Sequence, residues 1–151
     1  MHNPLETFED EHRHALQALD RLEGAATALE HEPGSDECIT VVREVHRFLS
    51  TEVRRHNENE EVALFPLLGE EAPVEPFLAD HRELRRLEQQ LADALDRDPT
   101  GVAAVEPALA VVELLRSHIE REDLMLFPMS RTLLGEDGLA EVERRLEART
   151  T

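Results

Sequence analysis

The chain has 151 residues, with 34 acidic against 16 basic side chains and a formal net charge of −18, which suits one domain with a real core. So acidic a chain repels nucleic acid and anionic membranes, which makes both poor partners. Every basic residue is Arg, Trp and Tyr are absent, and Cys38 is the lone cysteine. That closes Schiff-base and P-loop lysine chemistry, tyrosine acids, intrachain disulfides and four-cysteine clusters.

The elements are predicted to be helical throughout, because apolar residues recur every three to four positions. A first helix is expected from about Pro4 to Glu32, with Asn3 as cap and Pro4 at its first position. Pro33-Gly34-Ser35 breaks it. A second helix follows from about Asp36 to Leu68, kinked or ended by Pro66. The Gly69–Pro76 stretch connects it to a third, about Pro76 to Arg97, which ends at Asp98-Pro99-Thr100-Gly101. A fourth is expected from about Val102 to Leu134. Gly135-Glu136-Asp137-Gly138 then precedes a short fifth, about Leu139 to Ala148. The predicted class is all-α: a single domain over 1–151, built as an antiparallel up-down four-helix bundle with a short C-terminal helix. The N-terminus lacks the pattern of a signal peptide, and no apolar run approaches the ~20 residues of a membrane span. With one unpaired cysteine, this points to a cytoplasmic protein.

The chain repeats itself. Phe8-x-x-x-His12-Arg13 matches Phe77-x-x-x-His81-Arg82, and Glu11 is equivalent to Asp80. His56-x-x-x-Glu60-Glu61-x-x-Leu64-Phe65-Pro66 matches His118-x-x-x-Glu122-Asp123-x-x-Leu126-Phe127-Pro128. Each of the four long helices therefore carries one His in its apolar stripe. The stripe of the second helix reads Val45, Leu49, Val53, His56, Glu60, Ala63, Leu67. That of the fourth reads Val111, Leu115, His118, Glu122, Met125, Met129. Glu60 and Glu122 share the face of the His one turn before them. Counting from the three connections at roughly 1.5 Å per residue, all six polar groups fall at one level of the interior.

Unpaired buried carboxylates cost several kcal/mol or more in practice. Two of them among four imidazoles are relieved either by mutual His–Glu hydrogen bonding with shifted pKa values or by metal. Four His and two Glu suit a dinuclear centre in which each Glu bridges and each metal takes two imidazoles. An oxo or hydroxo bridge would bring each metal to five ligands, leaving one position for a small molecule. Such donors suit Fe or Mn, and also Zn.

The set His12, His56-x-x-x-Glu60, His81, His118-x-x-x-Glu122 resembles the hemerythrin-like, HHE cation-binding family over about residues 4–134. The resemblance implies an antiparallel four-helix bundle with a non-haem di-iron centre that binds or reacts with O2, or senses iron, oxygen or nitric oxide. It makes those six residues the metal ligands of two Fe ions and a small diatomic or peroxide the partner. Oxygen-carrying hemerythrins have a further His four positions after the equivalent of His81. Arg85 stands there in this chain, which weakens a plain carrier role and favours reactivity or sensing. A di-iron oxidoreductase and a metal-stabilised regulatory bundle are the alternatives. Glu61 and Asp123 are expected at the rim, and Glu52 either orients a histidine or faces solvent. His14 is expected in solvent, His46 too far along the axis, and Phe8 and Phe77 in the core.

Overall fold

The computed structural model describes residues 2–150, and every regular element among them is helical. The first rod is α1 (Pro4–His31). The Asn3 side chain accepts a hydrogen bond from the Leu5 amide at 2.9 Å, and Pro4 sits where a missing N–H costs nothing. The second rod begins as α2 (Asp36–Phe48), capped by Ser35, and runs through a π turn at Leu49–Val53 into α3 (Arg54–Asn59). A second π turn at Glu60–Leu64 leads to α4 (Phe65–Leu68). The third rod is α5 (Glu75–Arg97). A 3-10 turn at Val102–Ala104 opens the fourth, which comprises α6 (Val105–Arg121), a π turn at Glu122–Leu126 and α7 (Phe127–Thr150). α1 packs on α2 and α6, and α5 packs on α6 and α2, so the four long rods surround one interior.

The core has two apolar parts. One holds Ala15, Leu19, Leu22, Val53, Leu84 and Leu115; the other holds Leu5, Phe8, Leu64, Phe65, Phe77 and Phe127. His12 lies between Phe8 and Ala15 along α1, and His81 between Phe77 and Leu84 along α5. The four buried histidines, with Glu60 and Glu122, thus form a belt between the two apolar parts.

The π turns correct the predicted stripes. Pro66 and Pro128 lack an N–H and cannot bond the carbonyl four residues back. The preceding turns widen instead: the Phe65 amide bonds the Glu60 carbonyl, and the Phe127 amide bonds the Glu122 carbonyl, each five residues back. The extra residue shifts everything beyond it by one position. Met125, expected inside, is 61% exposed, and Leu126 is buried in its place. Likewise Leu68 and Ser130 are buried where Leu67 and Met129 were expected, and those two are only half-buried. Within the predicted break over Gly135–Gly138, Gly135 takes a non-helical φ of 64° and ψ of −170°, so α7 is two helical segments joined at a kink there. Beyond the bend Leu139 and Val142 are buried against the phenylalanine-rich part of the core.

Gly101 holds the junction before the fourth rod at φ +79°, and a Cβ there would lie 2.9 Å from Ile39 Cγ1 and 3.2 Å from Leu29 Cδ1. Gly101→Ala is expected to lower stability by at least about 1–2 kcal/mol, the cost of the left-handed backbone alone, read as a lower urea midpoint.

Candidate metal centre

Six side chains meet in the belt, and all are nearly inaccessible: His12, His56, Glu60, His81, His118 and Glu122. They fall into two groups of four whose donor atoms all lie within 4.8 Å of one another. One group is His12, His56, Glu60 and Glu122; the other is Glu60, His81, His118 and Glu122. Both glutamates belong to both groups. Glu60 Oε2 is 3.3 Å from His56 Nε2, and its Oε1 is 3.2 Å from His81 Nε2. Glu122 Oε1 is 3.0 Å from His12 Nε2 and 3.4 Å from His118 Nε2.

The outer nitrogen of every histidine is held by a carboxylate. His12 Nδ1 bonds Asp123 at 2.8 Å, His56 Nδ1 bonds Glu11 at 2.8 Å, His81 Nδ1 bonds Glu61 at 2.7 Å, and His118 Nδ1 bonds Asp80 at 3.0 Å. An ionised carboxylate only accepts, so each Nδ1 carries the proton and donates. The lone pair of each neutral imidazole then sits on Nε2, aimed inward. A phenylalanine fixes each ring from another side. Phe8 meets His56 edge-on and Phe77 meets His118 edge-on, with centroids 5.2 and 5.5 Å apart. Phe127 and Phe65 stack on His12 and His81 at 5.4 and 6.0 Å.

This donor set fits metal. Both oxygens of Glu60, both oxygens of Glu122, and Nε2 of His81 and His118 are buried with no hydrogen-bond partner. His12 Nε2 and His56 Nε2 stand 3.2 Å apart, lone pair against lone pair unless something positive lies between them. Buried polar atoms are rarely left so, and a cation satisfies them together.

Without metal, protons must serve that purpose. Burial acts to lower the His12 pKa, but its bond to Asp123 and the nearby Glu122 carboxylate outweigh it and raise the pKa to about 9. For His56 the burial effect is outweighed by Glu60 and Glu11, and the pKa reaches about 10. His118 is raised too, chiefly by Glu122 against its burial. Glu122 is held well below the usual carboxylate range by His118 and His12, although burial pushes it up. The raised histidines stabilise the metal-free fold fully below their unfolded pKa of 6.5, a contribution lost progressively as pH climbs through about 9 and 10. The lowered Glu122 contributes above its unfolded value of 4.5 and loses that contribution as pH falls below it. Metal-free protein is therefore expected to melt highest between about pH 4.5 and 6.5 and progressively lower at pH 8 and 10. Metal affinity runs the other way, because each ion displaces protons from Nε2; proton release on metal addition at pH 7 checks it.

All six sequence-predicted residues come together, and Glu61 and Asp123 stand at the rim. Glu52 is exposed and bonds Arg55 at 2.6 Å rather than a histidine. His14 is exposed, and His46 bonds the Glu88 carbonyl at 3.1 Å, away from the belt. The roles of Glu11 and Asp80 were not foreseen, although the repeat already paired them one position before each histidine. Glu88 was also missed: it is 3% exposed and bonded by Arg54 at 3.1 Å, and burial pushes its carboxyl up.

No curated protein matches the chain, but the model of the hemerythrin HHE cation binding domain matches residues 3–130. That span takes in the first three rods, the fourth as far as Ser130, the repeat and every member of both donor groups, so the chain belongs to the hemerythrin HHE cation-binding family.

Proposed function

We propose that this chain is a di-iron protein that binds or senses O2 or a related small ligand such as NO or peroxide. The observation that carries the reading is the sharing of Glu60 and Glu122 between two four-donor groups. His12 and His56 would hold one ion and His81 and His118 the other. The short connections support an antiparallel, up-down order of the rods, and the part of α7 beyond Gly135 acts as a fifth helix closing one end. Imidazole and carboxylate donors without thiolate suit iron, with Mn and Zn as competitors. When bound, two irons can between them supply two electrons to one oxidant.

The chain's own part is orientation and dryness. Asp123, Glu11, Glu61 and Asp80 accept the Nδ1 protons and so keep four Nε2 atoms facing inward. The two shared carboxylates bring negative charge to a site walled by Phe8, Phe65, Phe77 and Phe127, which exclude water. Arg85 favours a second reading, an oxidoreductase acting on peroxide or NO. It points to solvent toward Glu58 at 3.5 Å and brings no further imidazole to the centre. The lone Cys38 supports a reducing, cytoplasmic setting.

Anaerobic loading with ferrous iron is the test. Two irons per chain and a visible absorption that develops on adding O2 are expected. Metal-dependent consumption of peroxide or NO would favour the second reading. Binding of zinc alone, with no oxygen-dependent colour after iron loading, would reduce the metal to a structural role and overturn both.

A further inference from the structure

Of the four carboxylates that hold the belt's histidines, three serve a histidine alone. Glu11, Glu61 and Asp123 each accept one Nδ1 proton, at 2.8, 2.7 and 2.8 Å, and no arginine bonds them among the described residues. Asp80 is the exception. Its Oδ2 accepts from His118 Nδ1 at 3.0 Å, the longest of the four bonds, and the same oxygen accepts from the guanidinium of Arg121. Arg121 is fixed there from a second side. Its guanidinium carbon lies 5.5 Å from the centroid of the Phe77 ring, which meets His118 edge-on. Asp80 is also the carboxylate that water reaches least: its side chain is 19% exposed, against 32, 35 and 33% for Glu11, Glu61 and Asp123. The repeat does not account for this cation. Asp80 is equivalent to Glu11 and His118 to His56, so the place of Arg121 falls on Asn59 in the second rod. Asn59 is neutral. Two arginines line the groove beside Glu11, but Arg149 is engaged by Asn59 at 2.6 Å and Arg55 by Glu52 at 2.6 Å.

A carboxylate that accepts an Nδ1 proton makes the opposite ring nitrogen a stronger metal donor, because it stabilises the positive charge the ring acquires on binding. A guanidinium on the same oxygen takes part of that charge away. It also places a positive charge on one side of the centre, where the reduced access of water leaves it less screened. Both effects act on the group that contains His81 and His118, and neither acts on the group that contains His12 and His56. The two glutamates belong to both groups and cannot make the difference.

We infer that Arg121 is a positioning residue that acts through Asp80 and His118, and that it makes the cation between His81 and His118 the weaker-held of the two, so that the centre fills in a fixed order. This rests on the two-ion arrangement above, and not on iron or on any small ligand. The first ion goes to His12 and His56. The second is the exchangeable one, and a chain short of metal holds a single ion.

Cobalt(II) is the probe, titrated into the protein and followed by its visible absorption. His56→Ala leaves only the group with His81 and His118 complete, and His81→Ala only the other. Adding Arg121→Gln to His56→Ala is expected to tighten cobalt binding by about 3- to 10-fold, the effect of removing one charge from beyond a hydrogen-bonded carboxylate. In His81→Ala the same substitution should change nothing. Arg121→Lys, which keeps the charge, should keep the weak binding in His56→Ala. A merely structural arginine would give the opposite sign, since its loss would loosen the site. Unchanged or weaker binding when Arg121→Gln is added to His56→Ala would therefore overturn the inference while leaving the two-ion arrangement intact. Wild type that binds fewer than two cobalt ions would overturn both. If the single-site proteins hold no cobalt, the wild-type titration decides: two steps that Arg121→Gln draws together support the inference, and a single step or an unchanged gap overturns it. If Arg121→Gln does not fold, Asn59→Arg in His81→Ala decides, because a guanidinium at the equivalent place beside Glu11 should weaken cobalt by a similar factor, and unchanged or tighter binding overturns the inference.

Discussion

Glu60→Ala is expected to leave the protein with no tightly held metal ion, whereas His56→Ala leaves it with one. The difference follows from topology rather than from donor strength. Glu60 faces His56 with one oxygen and His81 with the other, at 3.3 and 3.2 Å, so its loss removes a donor from both groups at once. His56 belongs to one group only. Glu122→Ala should match Glu60→Ala, and His81→Ala should lose the opposite ion from His56→Ala. Metal-to-protein ratios after desalting separate these cases, with far-UV circular dichroism to verify that each variant is helical. One metal retained by Glu60→Ala would show that the carboxylates do not bridge.

Removing the metals should lower the melting temperature by about 15–30 °C. Each site saturated at a thousand times its Kd contributes about 4 kcal/mol to the folded state, and two sites contribute about 8. For a chain of this size each kcal/mol moves the midpoint by roughly 2–4 °C. The physical source is the set of six orphaned atoms on Glu60, Glu122, His81 and His118, which ions satisfy and protons satisfy less completely. Differential scanning calorimetry with and without a chelator at pH 7 measures it. A shift of only a degree or two would mean that the belt is stable as a proton-shared cluster and that metal is incidental.

Much of this centre was legible in the sequence because it depends on local geometry. His56 and Glu60 share a face through the four-residue spacing of one helical turn, as do His118 and Glu122. The proline after each Leu-Phe pair was read as a kink or an end. Its actual effect, a widened turn, lies in a hydrogen bond moved from four to five residues back. Periodicity assumes a constant turn, so Met125 was placed inside although it faces solvent. Glu11 and Asp80 were visible as a matched pair, but no spacing within α1 or α5 says that they serve a histidine of another rod.

The sequence by itself determined the helical class, the internal duplication and the six residues that face inward at one level. Each of these follows from the i, i+4 repeat and from the lengths of helix between turns. Only the tertiary structure decided which carboxylate holds which imidazole. Asp123 and His12 are 111 residues apart, Glu11 and His56 are 45 apart, Asp80 and His118 are 38 apart, and Glu61 and His81 are 20 apart. Those four bonds cross between rods, so packing alone sets them. Packing also settles that Nε2 rather than Nδ1 faces the interior.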